Sequence, residues 1–512
     1  MSQGLGITAI ALVAFFTLAI GVLGLRVART TSDFYVASRS VRPGLNASAI
    51  GGEYLSAASF LGVAGLVLAF GADMLWYPVG WTAGYLVLLV LVAAQLRRSG
   101  AYTLPDFAEA RLASRHVRTA SSVMVVAIGW LYLMPQFQGA GLTLHSITGA
   151  PPWVGGVVAA VVVLGSVASG GMRSITLVQA FQYWLKLTAL LVPVAFLLVV
   201  WFGDGASSPA EATAGGTTGA LWASPLTSDS AHPLYTTYSL IIATFLGTMG
   251  LPHVVVRFYT NPDGRAARRT VLVVLALLSA FYVLPPVYGA LGRLYAPDLI
   301  GAGTTDTVVL ELPARMIGGT GGDLLSALTT AGAFAAFLST TSGLTIAVAG
   351  VIGQDVVARG RFPRIGAIGA FRISAVVAVA VPLVLAVLTP DVSVARSVGL
   401  AFAVAASTFC PLLVLGIWWR GLTDVGALAG LAVGGLGSYV AVADALVDAH
   451  HSGWLEALLD QPAACTVPLA FLTMIGVSLA TRHRVPAHVG TFMVRLHTPE
   501  AVVLDRGRPV RD

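Results

Sequence analysis

An all-α protein that crosses a membrane about thirteen times is the fold class this sequence predicts, since a helix needs roughly 20 apolar residues to cross the hydrocarbon core. Three observations predict it. Of 512 residues, 56% are hydrophobic and only 10% are charged, and the mean hydropathy is +0.84, far from the balance of a soluble domain. Apolar stretches of spanning length recur from one end of the chain to the other. Arginine falls on alternate connections between them, the asymmetry that orients helices across a bilayer.

Taken in order, the apolar segments lie near 4–25, 45–70, 73–96, 119–147, 152–170, 174–203 and 234–260, then 269–293, 322–352, 365–388, 394–418, 423–446 and 462–481. The first lacks a basic leader and a small-residue cleavage site, so it reads as a retained helix rather than a signal peptide. Arg26, Arg29, Arg39 and Arg42 follow it, and Arg97, Arg98, Arg111, Arg115 and Arg118 follow the third. Arg173 follows the fifth, Arg265, Arg268 and Arg269 the seventh, Arg359, Arg361 and Arg364 the ninth, Arg420 the eleventh, and Arg482 and Arg484 the last. The intervening connections are acidic or nearly free of arginine, as in 204–233 with Asp204, Glu211 and Asp229. By the positive-inside rule the N-terminus is outside and the C-terminus cytoplasmic. The formal charge of +6 is thus a matter of topology, and no nucleic-acid partner is expected.

An odd number of helices accommodates two five-helix units, the second inverted, with further helices at the ends, a common transporter plan. The expected divisions are 1–44 (first helix and cytoplasmic loop), 45–203 (first repeat), 204–233 (extracellular loop), 234–418 (second repeat), 419–484 (two additional helices) and 485–512, a polar cytoplasmic tail with Arg495, Arg506, Arg508 and Arg511. Cys410 and Cys465 lie in apolar stretches with no metal-site spacing, and read as small buried residues. There is no HExxH, no paired Cys and His and no nucleophile elbow, so neither an enzyme nor a cofactor is expected.

Chemistry concentrates where the apolar pattern is interrupted. The second segment contains Gly51, Gly52, Glu53, Tyr54, Leu55, Ser56, Ala57, Ala58 and Ser59, a run able to unwind and expose carbonyls. Within a bilayer such backbone is tolerated only where it lines a cavity or binds a ligand, although close packing on a neighbouring helix also uses small residues. The seventh segment is interrupted at Gly247, Thr248, Met249, Gly250, Leu251, Pro252 and His253, and proline breaks the hydrogen-bond ladder. The ninth carries Ala336, Ser339 and Thr340. Three or four residues apart, they share a face and offer hard oxygen ligands suited to Na⁺.

Four stretches carry a family resemblance: GGEYLSAASFLGVAG from Gly51 to Gly65, Gly170 and Gly171 through Gln179, GLPHVVVRFYT from Gly250 to Thr260, and AAFLSTTSG from Ala335 to Gly343. With them the chain resembles the sodium:solute symporter family, and within it the cation/acetate (monocarboxylate) symporters. The resemblance implies inverted five-helix repeats as in the neurotransmitter-sodium symporters. It also implies a Na⁺ site built from Gly52, Leu55, Ala336, Ser339 and Thr340. The polar residues of sugar-carrying members are absent around Ser59 and Pro252, so a sugar is not expected. Tyr54 stands where some amino-acid-carrying relatives have an acid, with Glu53 beside it.

Lys186 is the only lysine in the chain and lies mid-segment. An intramembrane charge costs roughly 2.5 to 3.5 kcal/mol on insertion scales, which marks it as functional. It sits about two turns, roughly 10.5 Å, beyond Gln179 on the same face. Three roles stay open: pairing with Glu53, attracting a substrate carboxylate, or exchanging a proton in place of sodium coupling. Polar groups in the broken helices and the fourth segment form the expected substrate set: Ser56, Ser59, Tyr132, Gln136, Gln138, Thr248 and His253. Tyr132, Gln136, Gln138 and His253 also suit plain helix packing. The expectation is a multi-pass symporter of the bacterial cell membrane. It takes up acetate, propionate or pyruvate with Na⁺ or H⁺, and its partners are the small monocarboxylate and the lipid bilayer. The alternatives are a Na⁺-coupled carrier of another small solute, such as an amino acid or other organic acid, and a membrane-embedded sensor.

Overall fold

A computed structural model of the chain describes residues 3–25, 37–216, 218–226, 231–357, 366–389, 394–447 and 451–500, with helices and no strand among them. Arg26, Arg29, Asp229, Arg359, Arg361, Arg364, Arg506, Arg508 and Arg511 lie outside the described residues.

Among the described residues, 12 helices are long and apolar enough to cross a membrane. The difference from the sequence expectation has a local cause. One of them, the run 58–99, is 42 residues long, about 63 Å as a straight helix and twice the hydrocarbon thickness. It turns at Gly71, whose φ of 80° is left-handed, and so carries two crossings. Placing a Cβ on Gly71 would put it 1.9 Å from the Trp222 carbonyl oxygen, so this turn requires glycine.

In chain order the elements used below are α1 (Gln3–Leu25), α2 (Pro43–Tyr54), α3 (Val63–Phe70), α4 (Trp76–Val87), α5 (Ala93–Ser99), α6 (Leu104–Leu112) and α7 (Arg115–Thr148). α8 (Pro152–Ser169) and α9 (Gly171–Gly203) meet at a kink where Gly171 leaves helical geometry. The second half comprises α10 (Pro233–Gly250), α11 (Pro252–Val256), α12 (Gly264–Tyr282), α13 (Leu284–Tyr295), α14 (Val308–Ile317), α15 (Gly319–Ile352), α16 (Ala367–Leu388) and α17 (Val394–Trp418). α18 (Asp424–Val447), α19 (Ala463–Ala480) and α20 (Val489–His497) complete it.

Each half begins with an interrupted helix, and the two run side by side in opposite directions. At one end the Val41 amide donates to the Thr260 carbonyl over 3.3 Å, joining the start of the first to the finish of the second. At the other end the Thr237 hydroxyl reaches Asp73 over 3.4 Å. α15 and α17 are enclosed by protein, whereas α1, α16 and α19 leave most of their surface for lipid. α15 packs on α9, α7 and α14, which puts its hydroxyls beside the first break.

The first and last described residues lie at opposite ends of this bundle. Gln3 reaches the Thr148 carbonyl at the finish of α7, while Arg495 donates to the Arg98 carbonyl at the finish of α5. The expected polar tail contains a helix, α20, that docks through Val489, Phe492, Met493 and Leu496. Glu500 beyond it accepts from the Gly264 amide over 2.9 Å, satisfying an orphan donor at the start of α12.

Candidate functional site

The first break is a change of backbone path at Leu55, where φ is −75° and ψ is 86°. Residues Ala58–Gly62 then form a π-helical turn leading into α3. The last carbonyls of a helix have no partner within it, and those of Gly52 and Leu55 point to a single side chain from α9. Lys186 Nζ donates to the Gly52 carbonyl, to the Leu55 carbonyl over 2.7 Å and to Ser339 Oγ over 2.6 Å. All three N–H donors of the ammonium are used, and Lys186 is fully buried.

Ser339 Oγ also lies 3.0 Å from the Ala336 carbonyl, and Thr340 Oγ1 donates to the Glu53 carbonyl over 2.6 Å. The five residues read as sodium ligands therefore gather at the break, and three of them, Gly52, Leu55 and Ser339, bond the lysine ammonium. A sodium ion would need the oxygens that Nζ holds. Two cations in contact repel strongly where water is excluded, so Na⁺ and the ammonium would compete for these oxygens. α2 approaches α9 so closely that a Cβ on Gly52 would lie 2.1 Å from the Gln179 carbonyl oxygen.

Glu53 turns away from Lys186 to a partner the sequence reading passed over. Arg257, in the 3₁₀ turn Arg257–Thr260 after the second break, donates from Nε to Glu53 Oε2 over 2.6 Å. It also donates to Thr176 Oγ1 over 3.0 Å and to Gln179 Oε1. The side chains of Glu53 and Arg257 are 3% and 1% exposed. The far side of Gln179 donates to the Ser339 carbonyl over 2.8 Å, and Asn46 donates to the Arg257 carbonyl over 3.1 Å. One guanidinium thus ties both interrupted helices to α9, about two to three turns below Lys186 along that helix. An arginine inside the apolar segment 234–260 was the available signal, by the reasoning that singled out Lys186.

The expected substrate residues divide into two groups. Ser56, Ser59, Tyr132 and His253 come together on the other side of the first break. The Tyr132 hydroxyl lies 3.5 Å from Ser56 Oγ, Ser59 bonds Tyr282 over 2.9 Å, and the rings of Tyr132 and His253 are 5.3 Å apart. Both ring nitrogens of His253 are buried without a hydrogen-bond partner. The others serve the framework. Gln136 accepts from the Ala57 amide over 3.0 Å, Thr248 bonds the Tyr54 hydroxyl over 2.7 Å, and Gln138 donates to the Thr389 carbonyl at the finish of α16, away from the cluster.

Aromatic side chains that the sequence reading did not single out complete the enclosure. Phe402 lies 5.7 Å from Trp81, 6.0 Å from Tyr132 and 6.2 Å from Tyr54. Trp81 in turn lies 5.9 Å from Tyr282, and its indole N–H is buried and unpartnered. Trp81, Tyr282 and Phe402 come from α4, α12 and α17, so only the tertiary fold assembles them. Apolar walls with a few unsatisfied polar groups are the character of a small-molecule site.

Residues 34–434 match the sodium:solute symporter family. An uncharacterised symporter of Bacillus subtilis is 31% identical over 474 residues, covering 89% of this chain and 90% of the relative. A monocarboxylic acid transporter of Corynebacterium glutamicum is 32% identical over 509 residues, covering 92% and 91%. Among solved structures, the substrate-bound, outward-open state of a Na⁺-coupled sialic acid symporter superposes with a TM-score of 0.68 at 14% identity, over 92% of this chain and 98% of that one. MhsT in complex with L-phenylalanine gives 0.55 at 16% identity, over 86% and 98%. The likeness is one of fold, that of inverted five-helix repeats as in the neurotransmitter-sodium symporters.

Proposed function

The chain belongs to the sodium:solute symporter family, and from that premise we propose that it imports a short monocarboxylate such as acetate, propionate or pyruvate, with H⁺ as the coupling ion. The observation that carries the reading is the seat of Lys186 Nζ among the Gly52 and Leu55 carbonyls and Ser339 Oγ. The resemblance to the monocarboxylic acid transporter of Corynebacterium glutamicum supports the substrate class.

The mechanism follows from those contacts. With Lys186 protonated, its ammonium draws the free carbonyls of α2 toward α9 and Ser339, holding the break closed as a bound cation would. A carboxylate entering beside Ser56, Ser59, Tyr132 and His253 meets a buried positive charge, and enclosure by the aromatic walls strengthens the attraction. The loaded site then turns to the cytoplasm, the anion leaves, and the lysine gives up its proton. Neutral Lys186 releases the break for the return. In this reading the protein lies in the bacterial cell membrane with its N-terminus outside.

Uptake of labelled acetate and pyruvate into proteoliposomes tests it, under an imposed pH gradient or an imposed Na⁺ gradient. Uptake driven by pH, indifferent to Na⁺ and lost in Lys186→Met is the expected result. Sodium-driven uptake that survives Lys186→Met and is lost in Ser339→Ala would return the coupling role to Na⁺. Transport of neither acid would overturn the substrate class.

A further inference from the structure

Between α2 and α9, on the arginine-rich side of the site, lies a cavity of about 330 Å³ lined by Ser40, Arg42, Arg173, Ser174 and Thr176, with Leu45 and Leu177 at its rim. Its deepest polar contact is shared with the site described above, because the Thr176 hydroxyl accepts from Arg257. Going inward along α9, the order is cavity, Thr176, Gln179, Lys186. The Arg257 fork therefore stands between Lys186 and the cavity, bridging α2 through Glu53 to α9 through Thr176 and Gln179.

We propose that this cavity is the inner mouth of the transport path and that the Arg257 fork is its gate, so that the carboxylate leaves past Arg42 and Arg173 only when Arg257 lets go of α9. The proposal rests on the transport reading above. Two physical consequences support it. An opening between α2 and α9 needs the fork to part, since it is the fork that joins them there. Closed, the buried Arg257–Glu53 pair and its bonds to Thr176 and Gln179 also fill the space between Lys186 and the cavity, keeping the lysine from leaking protons to the inside while no anion is bound. Past the gate, arginine lining favours an anion over a cation or a neutral solute. Arg257 acts here as a positioning residue, through Glu53 and the helix break.

The test uses the full chain in two assays. In substrate-free proteoliposomes with an entrapped pH-sensitive dye, Arg257→Gln is expected to raise the proton leak after a pH step several-fold, because the ion pair that closes the way to Lys186 is lost. The double variant Arg257→Gln with Lys186→Met should lose that leak, whereas damaged protein would leak with or without the lysine. A tight Arg257→Gln, or a leak that survives in the double variant, overturns the gate. Should Arg257→Gln not be produced, Thr176→Val removes one arm of the fork and should give a smaller leak with the same dependence on Lys186.

The second assay measures the KM for acetate in right-side-out and inside-out membrane vesicles. Arg42→Gln with Arg173→Gln should raise the inside KM several-fold more than the outside KM. Equal changes on the two faces, or a change that appears only when anionic lipid is present, would assign the arginines to a lipid phosphate instead. The leak assay contains no monocarboxylate, so it judges the gate even if the substrate proves to be another solute.

Discussion

If Lys186 carries the coupling proton, its contact with Ser339 is a case of one side chain altering the cation that a shared scaffold serves. Three acceptors converge on Nζ, which suits a compact ammonium with three tetrahedral donors. Arginine cannot take that place equivalently. Its guanidinium is planar, larger, and stays charged in proteins. If Lys186 must shed a proton for the empty carrier to return, Lys186→Arg leaves a permanent cation at the break. The expected outcome is a carrier that still exchanges labelled for unlabelled acetate across the membrane while net pH-driven uptake is lost. Loss of both fluxes with a folded protein would mean that packing at Nζ, not proton release, is what the position requires.

At the scale of the element, the interrupted helices were legible because glycine, proline and hydroxyl residues in an apolar run have few other uses in a bilayer. Both breaks fall inside the predicted runs, at Leu55 and at Leu251. The partners of the freed backbone were not legible, since they arrive from distant segments. Gln136 looked like a substrate ligand, yet it accepts from the Ala57 amide where α2 gives way to the π turn. Gln136→Leu would leave that buried N–H unpaired, costing about 1 to 3 kcal/mol, and should lower the thermal midpoint in detergent. Arg257 was hidden for a different reason, because an arginine near a segment end reads as topology until its carboxylate partner is seen.

The turn Thr305–Thr307 presses on α3, the second half of the same broken helix, and a Cβ on Gly65 would lie 2.5 Å from Asp306 Oδ1. Asp306 keeps an exposed edge, but burial against α3 raises its carboxyl from 3.8 to about 6. The charged side chains nearest along the chain have other partners: Glu311 takes the Thr307 hydroxyl and an Arg315 bond, and Arg315 also binds Asp298. A raised carboxyl binds its proton more tightly in the folded state, so its stabilising share is complete below pH 3.8 and disappears as pH rises through about 6. The thermal midpoint of the wild type should thus decline across that window relative to Asp306→Asn. Parallel curves for the two proteins would contradict it.

For the whole molecule, hydropathy and arginine asymmetry were enough to read the helical order, because lipid and membrane charge act on every segment separately. The docking of α20 was not readable, since four apolar residues in a polar tail signal nothing until α5, α6 and α17 supply the surface. The charge count of the buried centre is likewise a property of the assembled fold. Glu53 and Arg257 cancel, which leaves Lys186 as the one uncompensated centre among the described residues of the site. A single monocarboxylate neutralises it, and the empty form becomes neutral only by losing one proton. In the proposed cycle both forms that cross are then without net charge, and one anion would move with one proton. A membrane potential acts on net charge at about 2.3 kcal/mol per elementary charge per 100 mV, so it should leave this cycle unaffected. Acetate uptake at fixed pH gradient should therefore be the same with or without a potential set by potassium and valinomycin. Acceleration by an inside-negative potential would mean that more than one cation accompanies each anion, and that a second cation site exists beyond Lys186.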